Sequence, residues 1–199
     1  MSQTITISVA ALAGANAPLT IIYAAENEAP AGAGAALWAR TGLDWAQAAA
    51  MASFTGKQGQ ALDVLGADGR LLVLGRGKAE TALPRNGWTD RGGSLLVKIA
   101  ATRAADVAVV VDESGADAAA IAELAAGLRL RHYKFDKYKS ARTEDGPADL
   151  RIALHVADPA AAEKAIADRA ATVEGTLLAR DLINEPANVL GPEEFAARA

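Results

Sequence analysis

The 199-residue chain contains no cysteine. Disulfides, thiolate metal ligands and a cysteine nucleophile are therefore excluded, which is compatible with a reducing compartment. Histidine occurs only at positions 132 and 155, and neither His132 nor His155 stands in an H-E-x-x-H or comparable spacing. No three-ligand catalytic zinc site, nucleophile elbow or Ser/His/Asp arrangement is legible. Aromatic residues make up only 5% of a chain that is 51% hydrophobic. The apolar surface is thus mostly Ala, Val, Leu and Ile, which suits strands and closely packed helices. No apolar run approaches the ~18 residues of a membrane span. A net charge of -4 and a pI near 5.2 give no global attraction to nucleic acid or anionic lipid. The run ITISVAALAGANA imitates a signal h-region, but the MSQT before it has no Lys or Arg. A cytoplasmic location is expected.

What is present alternates between strand and helix signals. Thr4 to Val9 places Ile5, Ile7 and Val9 on one side of a strand, and Leu19 to Ala24 is a compact β-branched run. Ala31 to Ser53 is Ala-rich and interrupted at Thr41-Gly42, so it predicts one broken helix or two short ones, with Trp38 and Trp45 in the core. Gln60 to Leu65 and Arg70 to Leu74 flank Gly66-Ala67-Asp68-Gly69 as a hairpin. A helix over Thr89 to Ala101 and a central strand over Asp106 to Val111 follow. From Asp117 to Arg131, Ile121, Leu124, Ala125 and Leu128 form one apolar stripe of a sheet-facing helix. YKFDKYK and DLRIALHV (Asp149 to Val156) read as two more strands. Asp158-Pro159 caps a helix that runs to Asn184, because the residue before Pro186 is biased away from the helical region. Gly191-Pro192-Glu193-Glu194 starts another, with acids where the dipole favours them. The pattern is that of an α/β fold, a mixed sheet flanked by helices and followed by a long helix.

Chemistry-bearing candidates are few. His155 reads as a structural histidine at a strand end, and His132 as a group opposing a helix dipole. LGRGK offers Gly75, Gly77 and Lys78 to a phosphate but lacks the G-x-x-x-x-G-K-[ST] spacing, so a strand-to-helix turn competes with a ligand loop. Asp112-Glu113 ends a central strand and reads as a solvated pair. The segment 129–142 concentrates Arg129, Arg131, Lys134, Lys137, Lys139 and Arg142 among Tyr133, Phe135 and Tyr138. That combination suits a nucleic-acid backbone and its bases, or an edge strand guarded by lysines. The acidic chain favours the edge strand and makes nucleic acid an unlikely partner.

ARDLINEPANVLGPEEFA, Ala179 to Ala196, resembles the segment that precedes the catalytic domain in the leucine aminopeptidase family, the cytosol aminopeptidases. GLRLRHYKFDKYKS, FTGKQGQ (Phe54 to Gln60) and LLVLGRGK resemble that family's N-terminal domain, and the likeness runs in order along nearly the whole chain. The resemblance implies a macro-domain-like N-terminal domain over residues 1–157. Residues 158–199 become the interdomain helix and the start of a linker, with Arg180, Asp181, Asn184, Pro186 and Asn188 matching the linker motif. Read as residues, these supply charges for interdomain pairing, a helix stop and a turn. The implied parent is a two-metal exopeptidase, its divalent ions of the zinc or manganese class held in a C-terminal catalytic domain. It would form a homo-hexamer and remove N-terminal residues from peptides. The family's metal ligands, including NTDAEGR, are not in this chain, so no catalytic or metal residue is assigned and the chain itself is expected to be inactive. Ending after two turns of a helix favours a chain cut short over a naturally short paralogue. In that case α-helical residues such as Val173, Leu177 and Ile183 stand to be exposed. The alternatives are a stand-alone macro-like module that holds a nucleotide such as ADP-ribose near LGRGK, and DNA binding through the basic segment.

Overall fold

The computed structural model describes residues 4–66, 69–78, 83–138 and 149–198. Six strands make one sheet: β1 (Thr4–Ala11), β2 (Leu19–Ala24), β3 (Ala61–Gly66), β4 (Gly69–Gly75), β5 (Asp106–Val110) and β6 (Asp149–Val156). Their order is β1-β6-β5-β2-β4-β3. All neighbours are parallel except β3, which returns antiparallel on β4 as the hairpin signal predicts. The mixed α/β sheet expected from the sequence is therefore present.

Helices cover both faces unequally. On one side lie α1 (Gly32–Ala39) and α2 (Trp45–Met51). Trp38 and Trp45 sit one on each helix and meet edge to face, 4.9 Å between centroids, over the Ile22, Val73 and Val110 core. The break between the two helices carries Gly42 at φ +70, a conformation costly for residues with a Cβ. On the other side lie α3 (Arg85–Thr102), α4 (Ala118–His132) and α5 (Pro159–Asn184). The α4 stripe of Ile121, Leu124, Ala125 and Leu128 is fully buried against Leu19, Ile21, Val107 and Val109. Each such Ile or Leu contributes about 1.5–3 kcal/mol of transfer free energy. Every residue of α4 from Ala120 to Leu128 is buried, because the helix is enclosed by the sheet, α3 and α5.

That enclosure demands close backbones. A Cβ on Gly92 would stand 2.1 Å from the Leu124 carbonyl oxygen, and one on Gly127 would stand 2.0 Å from that of Thr89. The α3–α4 crossing therefore exists only because both positions lack a side chain. Glu123 projects beside it, 6% exposed, accepting from Thr89 Oγ1 at 2.9 Å and from Arg169 of α5 at 3.1 and 3.3 Å, with Arg85 at 3.6 Å. One carboxylate ties three helices together.

The long helix runs as expected from the Asp158 cap, whose side chain accepts from Ala161 N at 3.0 Å, to Asn184. Ala162 and Val173 are buried in the body, Leu177 is half-buried, and Ile183 is 83% exposed. Val173 thus has its packing partner within this chain. A short helix, α6 (Pro192–Arg198), follows. The expected YKFDKYK strand is not formed: Tyr133 to Asp136 have no regular structure and Lys137 and Tyr138 form a turn, while Lys139 and Arg142 lie outside the described residues. Alternation of aromatic and basic residues imitated a period of two, and contacts to α5 determine the path instead.

Replacing Gly127 by Ala should force α3 and α4 apart and destabilise the fold by about 1–3 kcal/mol, as overpacking does. Gly175→Ala on α5, where a Cβ meets nothing within 4 Å, should instead be neutral or stabilising by up to ~1 kcal/mol. Urea midpoints of the two variants, compared at equal slope, measure the contrast.

Candidate functional site

Chain direction reverses at the boundary of β5 and β2: β2 leads outward to β4 and β3, and the chain then crosses to β5. Crevices outside the carboxyl ends of strands at such a switch point are where open α/β sheets hold ligands. Here the crevice is filled by the protein. FTGKQGQ and LGRGK cross there with backbones in contact. A Cβ on Gly75 would lie 2.2 Å from the Lys57 carbonyl oxygen, and one on Gly56 would lie 2.2 Å from that of Ala25. Gln60 Oε1 gathers the loop by accepting from Thr55 N (2.9 Å), Thr55 Oγ1 (3.0 Å) and Lys57 N (3.1 Å).

Three successive amides of the LGRGK loop are already used. Gly75 N donates to Gln60 O at 3.0 Å, Arg76 N to Ala24 O at 3.0 Å and Gly77 N to Gly56 O at 2.9 Å. Lys78 follows in an irregular stretch. The neighbouring α1 N-terminus is also taken, since Ala33 N donates to Asp112 Oδ2 at 2.7 Å. Glu113, its side chain 6% exposed, pairs with Arg76 at 3.2 Å and with Arg91. Arg91 lies over the rings of Tyr23 (5.2 Å) and Trp88 (4.7 Å). Burial pushes the Tyr23 hydroxyl far above the usual phenol range, and that hydroxyl has no hydrogen-bond partner among the described residues. The cavity bounded by Tyr23, Arg76, Asp112 and Glu113 is about 30 Å³, room for a water or two and not for a nucleotide. The sequence reading gave Asp112 and Glu113 no role; their place after a central strand was the visible signal, and their arginine partners were not.

The second constellation joins two motifs far apart in sequence. Arg180 Nη1 donates to the Leu130 carbonyl at 2.7 Å, satisfying an orphan acceptor in the last turn of α4, and its guanidinium lies 5.7 Å from the Tyr133 ring. Tyr133 Oη donates to Asp181 at 2.8 Å and accepts from Asn184 Nδ2 at 3.3 Å. Asn184 Nδ2 also donates to Arg180 O at 2.8 Å. Glu185 receives Lys137 Nζ at 2.5 Å, the Tyr138 hydroxyl and Arg198 Nη1 at 3.0 Å. The Pro186 carbonyl accepts from Val189 N and Leu190 N, and Asn188 stands exposed in that turn. Arg129 pairs with Glu174 at 3.6 Å, whereas Arg131 and Lys134 are exposed. Part of the basic segment is thus neutralised by the long helix and its end.

Electrostatics follow from those contacts. Lys137, then Tyr138, hold the Glu185 carboxyl down at about 2, and Glu185 in turn raises both partners. Burial lowers His132, whose buried Nε2 has no hydrogen-bond partner among the described residues. His155 is buried with Nδ1 2.7 Å from Ala11 O, the structural role expected of it. Among the described residues no group of three or more His, Cys, Asp or Glu is placed to hold a metal ion. No described helix is long and apolar enough to cross a membrane.

Titrating ADP-ribose into the chain should give no saturable heat, because the loop amides, the helix N-terminus and both arginines are occupied. A stoichiometric isotherm would show that the crevice opens. The Glu185 cluster adds a pH dependence of known sign. A carboxyl depressed in the folded state stabilises it above the ordinary value of 4.5 and loses that contribution as pH falls towards about 2. Wild type should therefore exceed Glu185→Gln in stability at neutral pH, and the two melting curves should converge in acid.

Comparison with known proteins gives these motifs a common source. Residues 21–142 match the cytosol aminopeptidase family, N-terminal domain. A "Probable cytosol aminopeptidase" of Rhodopseudomonas palustris (strain ATCC BAA-98 / CGA009) is 48% identical over 164 residues, covering 77% of this chain and 32% of the relative. One of Rhizobium etli (strain CIAT 652) is 41% identical, covering 100% of this chain and 41% of the relative. The chain thus spans about a third to two fifths of these relatives' length. In fold it is similar to a tomato leucine aminopeptidase mutant, TM-score 0.76 at 19% identity, over 99% of this chain and 42% of that one. A manganese complex of the bottromycin maturation enzyme BotP aligns at TM-score 0.62 and 24% identity, over 91% of this chain and 35% of that one. With the match covering well over half of its residues, the chain belongs to the cytosol aminopeptidase family and corresponds to that family's N-terminal domain.

Proposed function

We propose that this chain is the noncatalytic N-terminal part of a leucyl aminopeptidase and serves its assembly and the access of peptides to its active site. Residues 1–157 form the α/β unit, and 158–199 lead through the long helix and the linker motif to a C-terminal catalytic domain. The observation that carries this reading is the seating of the linker on the body: Arg180 on the Leu130 carbonyl, Asp181 on Tyr133, and Glu185 on Lys137 and Tyr138. A segment that only trailed from the domain would not need three side chains to set its exit direction. Held this way, the chain leaves the body on one defined bearing, which positions whatever follows.

On this reading the whole enzyme is a cytoplasmic homo-hexamer with two divalent ions of the zinc or manganese class in the catalytic domain. Those ions would activate a water and polarise the scissile carbonyl, releasing residues such as leucine from peptide N-termini. The residues described here bind no substrate in that scheme; they fix geometry.

The chain alone should not hydrolyse leucyl p-nitroanilide with zinc or manganese supplied. Efficient metal-dependent release of nitroaniline by the pure chain would overturn the noncatalytic assignment. Intact mass of the native gene product should lie far above 20.4 kDa; a mass near that value would remove the parent enzyme from the proposal.

A further inference from the structure

The two edges of the sheet are built differently. β3 is short, and the Asp63 on it is forked by Arg70, with Nε 2.8 Å from Oδ1. Charge of this kind discourages another strand from adding to an edge. β1 has eight residues, TITISVAA, with no charged side chain and no proline. Among the described residues its one neighbour in the sheet is β6, so alternate backbone groups along its length point away from the sheet. Of the lysine-bearing segment expected to form a guarded edge strand, Tyr133, Lys137 and Tyr138 contact α5 and its end instead, and among the described residues none of its lysines lies in a strand beside β1.

The faces beside that edge are also unequal. Ile5, Ile7 and Val9 pack into the core under α4 and α5. No residue of β1 or β6 belongs to the core that α1 and α2 cover, and Thr4, Thr6 and Ser8 are exposed on that side. A long, uncharged, β-branched edge next to an uncovered hydroxyl-bearing face is a template for another strand.

We propose that β1 pairs antiparallel with β1 of a second copy of this chain, about a two-fold axis near Ile7, so that the two six-stranded sheets continue into one. The strand is self-complementary in that register. Thr6 falls opposite Ser8 of the copy, Ile5 opposite Val9, and Ile7 opposite itself. Hydroxyls thus meet hydroxyls on the open face and branched aliphatics meet on the helix face, the pairings that stabilise antiparallel strands. No like charges are brought together along the strand. The flanking helix α5 presents both signs close together, in exposed Glu163, Lys164 and Asp168, so its approach to its own copy meets no field of a single sign. An isologous contact of this type closes on itself and does not propagate into fibres.

Sedimentation equilibrium of the 199-residue chain at micromolar concentrations should give twice the mass of 20.4 kDa. The double variant Thr6→Lys, Ser8→Lys places lysines opposite one another and should weaken the dimer by about tenfold or more, with circular dichroism and melting temperature retained. Should that variant not fold, hydrogen exchange on the unmodified chain decides: alternate β1 amides must become protected as concentration rises. A monomer at all concentrations, a dimer indifferent to the lysines, or β1 amides whose exchange ignores concentration would each overturn the proposal.

Discussion

The contact on which one whole side of this molecule depends is the meeting of two helix backbones at Gly92 and Gly127. With the axes that close, α4 can be buried all round, and the Glu123 carboxylate can reach both the Thr89 hydroxyl on α3 and the Arg169 guanidinium on α5. A buried carboxylate is costly unless its partners are held in place. The glycine crossing holds them, and α5 then lies at the angle that lets Arg180, three turns further along, find the Leu130 carbonyl. Packing at one end of the helix thus determines the electrostatic latch at the other.

Three carboxylates that are almost wholly enclosed do comparable work in different places. Glu113 collects Arg76 and Arg91 at the carboxyl ends of the strands. Glu123 collects α3 and α5, and Glu185 collects Lys137, Tyr138 and Arg198. Each joins segments that are distant in sequence, so each contributes to specificity of arrangement as well as to stability. The same economy explains why the strand-end crevice has lost the look of a ligand site. Asp112 sits where an anion would sit, and Glu113 neutralises the arginines that would have attracted one.

Much of the architecture was readable because its signals are local. Asp158-Pro159 and Glu185-Pro186 bound α5 to the residue, and the Ile121, Leu124, Ala125, Leu128 stripe marks the face of α4 that meets the sheet. The hairpin of β3 and β4 is announced by its glycines. What stayed hidden is decided at long range. YKFDKYK has the alternation of a strand, yet its tyrosines and Lys137 are claimed by Asp181 and Glu185, whose positions no local pattern reveals. The linker motif was recognisable by resemblance, and its partners were in a motif already noted for other reasons; only the fold brings the two together. Glu123, set among apolar residues of α4, acquires its role as a buried hub only from Thr89 and Arg169, which the fold brings to it.

Strand order also has a consequence for how the chain acquires its shape. β1 is made first, but its neighbour is β6, and Thr4 is in register with Asp149. Until β6 is synthesised, β1 lacks its neighbour in the sheet, whereas β2, β3, β4 and β5 are contiguous without it. Closing so large a loop is an entropic cost met late, and contacts of such separation in sequence slow folding. In the finished sheet β6 lies between β1 and β5, so it is the strand that joins β1 to the other four.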